Sequence, residues 1–200
     1  MLTPRSYLSY SSMTLFEKSP EGWADYYLYD QKQRITRNMK LGSDMATGLE
    51  SGEASGDPLL DLMIARLPKF ELMDKPLFAY LKDGKDEIRL LAKPDTAKPD
   101  YTAFKEYKTS TRKWTQKMVD ESGQISYYAT VIWLLTKKIP QDIELVCVET
   151  AYDEEGKVYC TGNVWPPIKT KRSMADIIKT TARIRRNWAE IKSFCEKELL

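Results

Sequence analysis

The sequence predicts a single α/β domain, and three observations carry that prediction. Apolar residues recur at helical spacing in the first third of the chain and in two long segments of the second half. Between them the period shortens to that of extended chain, with an Asp-Gly pair joining two runs. No linker divides the 200 residues, and the only repeat is a doubled Lys-Pro-Asp at 93–95 and 98–100. With 42% hydrophobic and 30% charged residues the chain can bury a core. The expected organisation is a helical part over 1–68, a sheet core with a helix over 69–165, and a C-terminal helix over 173–198.

Taken in order, Ser9-Tyr10-Ser11-Ser12 can cap a short helix from Met13 to about Lys18. Ser19-Pro20 interrupts it and opens an aromatic helix, Trp23 to Tyr29, with Trp23, Tyr26 and Tyr27 at the core or its edge. Asn38 to Glu50 reads as a helix with Met39, Ala46 and Leu49 near one side. Gly52 to Gly56 form a loop, Asp57-Pro58 restarts a helix through Leu67, and Pro68 stops it.

Leu77–Leu81 and Glu87–Lys93 flank Lys82-Asp83-Gly84-Lys85, a hairpin signal. A second turn, Thr96 to Asp100, leads to a strand over Tyr101–Thr109, so the three strands are expected to form an antiparallel meander. Gln116 to Lys138 reads as one helix, and Asp142–Thr150 as an apolar, central strand. Lys157–Val164 follows as a further strand after Glu154-Glu155-Gly156. On the last helix, Met174, Ile177, Ile178, Thr181, Ile184, Trp188, Ile191 and Cys195 form the expected buried stripe, opposite Lys179, Arg183 and Arg186.

Charge and composition narrow the chemistry. Thirty-one basic against 29 acidic residues leave +2, so any basic surface must arise by clustering. No apolar run is long enough to span a membrane and no basic-then-apolar leader opens the chain, so neither membrane attachment nor a signal peptide is expected. There is no histidine, which removes Ser–His and Cys–His mechanisms and His-bearing zinc sites. Cys147, Cys160 and Cys195 suit reduced thiols in a cytoplasmic protein and are too few for a four-thiolate iron–sulfur cluster. Acid–base or metal chemistry falls to carboxylates, lysine, tyrosine and water.

Pro94-Asp95 is followed, after ten residues, by Glu106-Tyr107-Lys108. On a strand Glu106 and Lys108 share a face, and a turn between the segments brings Asp95 beside Glu106. Two carboxylates suit Mg²⁺ or Mn²⁺, hard cations that polarise a phosphodiester and acidify a bound water, while Lys108 orients that water or steadies developing charge. The plain alternative for Glu-X-Lys is a solvated ion pair. Phe104 and Tyr107, set against Glu106 and Lys108, are read as one buried and one polar face. Gln124 and Tyr128, four apart, share a helical face where both can hydrogen-bond a phosphate or a backbone group; the plain alternative is a buried-edge tyrosine with a helix-surface glutamine.

Asp95, Glu106-Tyr107-Lys108-Thr109 and Gln124-X-X-X-Tyr128, in this order, resemble the PD-(D/E)XK nuclease superfamily, in particular its RecB-type and phage (lambda-type) exonuclease branch. Leu8-Ser9-Tyr10-Ser11 with the Pro20 helix, and Met39-Lys40-Leu41-Gly42-Ser43 running to Leu49-Glu50, are similar to the opening helices of those nucleases. The resemblance spans about residues 8 to 136. It implies a restriction-endonuclease-like domain with a central mixed sheet flanked by helices, and a metal-dependent deoxyribonuclease of recombination, repair or phage DNA processing. Asp95 and Glu106 would be metal ligands with the Tyr107 carbonyl, Lys108 the catalytic lysine, and Gln124 and Tyr128 the DNA side of the site.

The chain departs from the pattern in one place. Such nucleases often carry a metal-binding His or Glu four residues after the helix glycine; counted from Gly42 that position is Ala46. Glu50, one turn further on the same face, is the expected substitute, ahead of Asp44 and Glu53. The C-terminal cysteines of iron–sulfur relatives are missing as well, so no cluster is expected.

Thr111-Arg112-Lys113-Trp114-Thr115-Gln116-Lys117 follows the proposed active strand. Arg112, Lys113 and Lys117 can neutralise phosphates and Trp114 can stack on a base; the alternative is a solvated loop with Trp114 folded onto the core. DNA, as a duplex end or a single strand, is the expected partner, and a recombination or helicase partner or a homo-oligomer would supply processivity. Two further readings stand beside the enzyme. One is a degenerate module of the same fold that binds DNA or a protein without cutting; the other is a structural or inhibitory protein that binds no DNA.

Overall fold

The computed structural model describes residues 6–31 and 36–198. It opens with a two-residue strand, β1 (Leu8–Ser9), and helix α1 (Tyr10–Lys18). Within the Ser9–Ser12 run it is Ser9 that takes the cap, accepting the Ser12 N–H at 3.2 Å, so the helix starts three residues before the expected Met13. Ser19 caps α2 (Pro20–Tyr27), which stops two residues short of Tyr29. Trp23 is buried, its indole N–H donating to Ser12 Oγ at 2.9 Å, and Tyr26 and Tyr27 sit at the core edge.

Thr36 caps α3 (Arg37–Ser51), which ends at Gly52 in the left-handed region (φ 70°). Asp57 and Pro58 open α4 (Pro58–Arg66) as expected. The buried side of α3 is Leu41, Met45 and Leu49, spaced by four, whereas Met39 and Ala46 are exposed. That stripe packs on Leu60, Met63 and Ile64 of α4 and on Tyr107, Val146 and Val148, which takes it off the side the sequence suggested.

The strands form two mixed sheets flanked by helices, in keeping with the expected fold class. In the first, β3 (Leu77–Asp83) and β4 (Asp86–Ala92) make the hairpin, turning at Gly84 (φ 62°), and β1 adds parallel to β4. The second has the order β2-β5-β6-β7-β8, with β2 (Leu72–Met73), β5 (Thr96–Ala97), β6 (Ala103–Ser110), β7 (Asp142–Tyr152) and β8 (Val158–Thr170).

The expected meander is therefore not formed. Pro94 has no N–H to continue the ladder, so the chain leaves β4, pairs briefly as β5 and returns as β6, which runs parallel to β7 instead of beside β4. β6 and β7 are covered on both sides, and both carry unbroken buried runs rather than an alternation. Phe104 is fully buried and shares its face with Glu106 and Lys108, so the proposed division into one buried and one polar face fails. Tyr107 and Val146 belong to the opposite face, under α3 and α4.

β8 runs six residues beyond the expected Val164, through Pro166-Pro167, because it is the edge strand and a bulge there absorbs the missing donors. The single helix expected over 116–138 is two, α5 (Gln116–Asp120) and α6 (Gly123–Thr136). Ser122 caps the second, and the buried Arg172 guanidinium fills the break by donating to the carbonyls of Val119 (3.0 Å) and Ser122 (3.3 Å).

Helix α7 (Met174–Glu198) buries Ile177, Thr181, Ile184, Ile191 and Cys195, but Met174 and Ile178 are exposed. Asn187 occupies the stripe instead, donating to Glu17 at 2.8 Å, and Arg183 pairs with the same carboxylate rather than facing water. Tyr127 of α6 is buried and donates to the Leu8 carbonyl at 2.6 Å, tying the N-terminal helices to the core. Among the described residues no helix is long and apolar enough to cross a membrane.

Candidate active site

The short β5–β6 pairing puts Asp95 next to the middle of β6. Its Oδ2 accepts the backbone N–H of Tyr107 at 2.6 Å, which sets the carboxyl beside Glu106, the neighbour of Tyr107 in sequence. Glu106 is 2% exposed, and its Oε1 accepts from Lys108 Nζ at 2.6 Å and from Gln124 Nε2 at 2.7 Å. Lys108 also donates to Gln124 Oε1 at 2.8 Å, and Gln124 donates to the Tyr128 hydroxyl at 3.0 Å. Glu106 and Lys108 of β6 with Gln124 and Tyr128 of α6 thus form one network, and Asp95, just ahead of β5, is held beside it by the Tyr107 N–H.

The electrostatics follow from that crowding. Burial, reinforced by the Glu106 carboxylate, pushes the Asp95 carboxyl well above the usual aspartate range, against the pull of the Tyr107 N–H and Lys108. Burial alone would depress the Lys108 ammonium, but Glu106 and Asp95 outweigh it and hold it above the ordinary lysine value, so it stays charged. Burial, with help from Glu106, raises the Tyr128 phenol and keeps it a neutral hydroxyl.

A carboxyl raised in the folded state adds stability below the unfolded carboxyl range and loses it as pH rises through the folded value. Asp95→Asn is therefore expected to raise the melting temperature of the metal-free protein at pH 8, by on the order of 5 °C. Because the amide is neutral at every pH, the gain should vanish as pH falls toward about 3.9. Scanning calorimetry with chelator present checks this, and a lower melting temperature at pH 8 would contradict it.

A cavity of about 230 Å³ opens on Asp95, Glu106 and Lys108, walled across from them by Gly42, Met45, Ala46 and Leu49 of α3. Ala46, the position where the resemblance expects a ligand, thus lines the same cavity as the carboxylates. Glu50 does not line this cavity; its side chain is 56% exposed and lies 3.8 Å from Lys93. Asp44 pairs with Lys40 at 2.7 Å. Among the described residues no group of three or more carboxylates and thiols converges tightly enough to hold a metal.

Asp95 and Glu106 nevertheless line one cavity with carboxyl oxygens, the donor chemistry that hard divalent cations take. Glu106 Oε2 is buried and has no hydrogen-bond partner, and an orphaned carboxyl oxygen of this kind fits a cation ligand.

Gln124 and Tyr128 also border a second groove of about 460 Å³, with Lys93 and Tyr10. Arg112, Lys113 and Lys117 are exposed on the segment leaving β6, Lys117 lying 3.9 Å from Glu121. Trp114 is half-buried and packs against the main core, so it follows the plainer of its two readings.

Asp74 escaped the sequence reading. It takes the Lys93 ammonium and donates its N–H to the Asp95 carbonyl at 3.0 Å, yet lies 21 positions away with no motif to link the two. Lys93 had a faint signal, as the first residue of Lys-Pro-Asp.

The sequence matches no family model and no curated protein. The fold does match solved structures. A protein of Eubacterium rectale provisionally assigned as an exonuclease superposes with a TM-score of 0.61 at 12% identity, covering 96% of this chain and 82% of that one. LHK-Exo in complex with dAMP gives 0.53 at 14% identity, covering 97% of this chain and 92% of that one. LHK-Exo is an alkaline exonuclease from Laribacter hongkongensis. The chain therefore has the fold of these exonuclease structures over nearly its whole described length.

Proposed function

We propose that this chain is a divalent-metal-dependent nuclease that hydrolyses DNA phosphodiester bonds, acting as an exonuclease in recombination, repair or phage DNA processing. The observation that carries the reading is the Glu106–Lys108–Gln124 network with Asp95 beside it at a cavity, with one buried Glu106 oxygen left unpartnered. The shared fold with exonuclease structures agrees with it.

Asp95, Glu106 and the Tyr107 carbonyl would hold Mg²⁺ or Mn²⁺, which supplies phosphodiester polarisation and a water acidic enough to attack. The protein's own contribution is positional. Gln124 holds Glu106 and Lys108 together, so the carboxylate and ammonium keep one geometry without substrate. Lys108, charged and partly exposed, stabilises negative charge that builds on phosphate oxygens in the transition state. The neutral Tyr128 hydroxyl, at the groove lined by Gln124, is placed to bond the DNA backbone.

Linear and circular duplex DNA and single strands, each with Mg²⁺, Mn²⁺ or chelator, test this directly. Metal-dependent degradation that spares circles supports an exonuclease, and a folded protein that cuts nothing overturns the enzyme reading. One observation favours a second reading, a non-cutting module that binds DNA or a protein: Ala46 occupies the expected ligand position and Glu50 stays outside the cavity.

The loop after β6 has its own test. Arg112→Ala and Lys113→Ala are each expected to weaken DNA binding uniformly across sequences and to lower the log–log salt slope by about 1. Fluorescence anisotropy between low and moderate salt checks this; an unchanged slope would remove the segment from the interface.

A further inference from the structure

We propose that Asp74 is a positioning residue of the same site, which holds Lys93 off the metal-binding carboxylates and anchors the backbone of Asp95. The inference rests on the nuclease reading and assigns a role to a residue outside the catalytic network.

Asp74 lies between β2 and β3 with φ 47°, a left-handed conformation that an aspartate adopts at some cost. That geometry lets one residue make two contacts with the Lys93-Pro94-Asp95 segment. Its N–H donates to the Asp95 carbonyl at 3.0 Å, and its carboxylate, 13% exposed, takes the Lys93 ammonium. Antiparallel pairing of Leu72 with Ala97 and Met73 with Thr96 locks the same two segments one step further on. Thr96, fully buried, adds bonds through its hydroxyl with the Phe70 N–H (2.8 Å) and carbonyl (3.1 Å).

Lys93 needs such a restraint. Pro94 holds residue 93 extended, two residues ahead of Asp95, on a flexible side chain long enough to reach neighbouring carboxylates. An ammonium resting on Asp95 or Glu106 would occupy the charge that a divalent cation needs. Instead Asp74 takes it, with Glu50, which adjoins Asp74, 3.8 Å from the same ammonium. This also accounts for Glu50, which neutralises Lys93 and does not enter the cavity. Lys93 meanwhile borders the groove shared with Gln124 and Tyr128.

Mn²⁺ binding, followed by titration calorimetry on the full chain without DNA, reads the effect independently of cleavage. Asp74→Asn keeps the backbone N–H and the side-chain shape but releases Lys93. It is expected to weaken Mn²⁺ binding on the order of tenfold, as loss of an outer partner of a metal ligand does. Adding Lys93→Met should restore the wild-type affinity, a rescue that a purely structural role would not show, with melting temperatures reporting the fold of each variant. If Asp74→Asn does not fold, Lys93→Met and the double variant still compare directly, and equal Mn²⁺ affinities are expected. Unchanged affinity in Asp74→Asn, or a loss that Lys93→Met does not rescue, overturns the inference while the nuclease reading stands. A wild type that neither binds Mn²⁺ nor cuts DNA overturns both.

Discussion

Lys108→Ala is expected to reduce metal-dependent DNA cleavage by on the order of 10²–10³-fold or more while leaving DNA affinity nearly intact. The reasoning is local. Lys108 is the charged member of the network, held by Glu106 at 2.6 Å and Gln124 at 2.8 Å, and no other cation bonds to Glu106 among the described residues. Its removal takes away charge stabilisation that matters most when the phosphate oxygens carry developing charge. Ground-state contacts with DNA are spread over many groups and should barely change. Glu106→Ala, run in parallel, should lose cleavage too, because it removes both a metal ligand and the acceptor that aims the lysine. Single-turnover rates with anisotropy on the same DNA separate the effects; cleavage that survives in either variant would remove this network from the chemistry.

The second large effect concerns stability and lies on the opposite face of the same strand. Lys105 is 6% exposed, its ammonium bonded to Glu144 of β7 and seated 4.4 Å from the Phe70 ring. Glu144→Ala would leave that ammonium buried with only an aromatic face for company. A broken buried pair costs about 3–5 kcal/mol, so the urea midpoint should fall sharply. Lys105→Met with Glu144→Leu should recover most of the loss, since a well-packed apolar pair can replace a buried ion pair. A loss in Glu144→Ala within about 1 kcal/mol of wild type would mean that Lys169, 3.3 Å from Glu144, or water governs the pair's surroundings instead.

Both predictions concern β6, and β6 is also where sequence and structure part company most clearly. Glu106 and Lys108 share a face because strand geometry alternates, and that much follows from spacing. That Phe104 shares it, and that Lys105 is buried on the other side, depends on helices covering both faces. The hairpin at Gly84 was legible because an Asp-Gly turn dictates its own backbone. The meander was a wrong extension: strand partners are set by long-range burial, and the chain's return beside β7 leaves no local trace. The split at Ser122 is similar, since its decisive partner, Arg172, lies 50 residues away.

Asp95, Glu106, Lys108, Gln124 and Tyr128 are all legible by spacing; the fold joins the last four by hydrogen bonds and sets Asp95 beside them through the Tyr107 N–H. Glu50 follows from helical periodicity, which gives the face of a helix but not how far along it the cavity reaches. Asp74 could not be found at all, because contact between a β2–β3 turn and the Lys93-Pro94-Asp95 segment arises only once β2 pairs with β5.

By itself the sequence determined an α/β domain without histidine chemistry, its capped helices, the hairpin and the catalytic candidates. These are matters of composition, period and turn geometry, which act over a few residues. Tertiary structure alone decided the sheet order, the two-sided burial of β6 and the outer partners of the carboxylates. Each depends on which distant segment supplies the covering side chain or the counter-charge, and that is settled by closing long loops around a shared core.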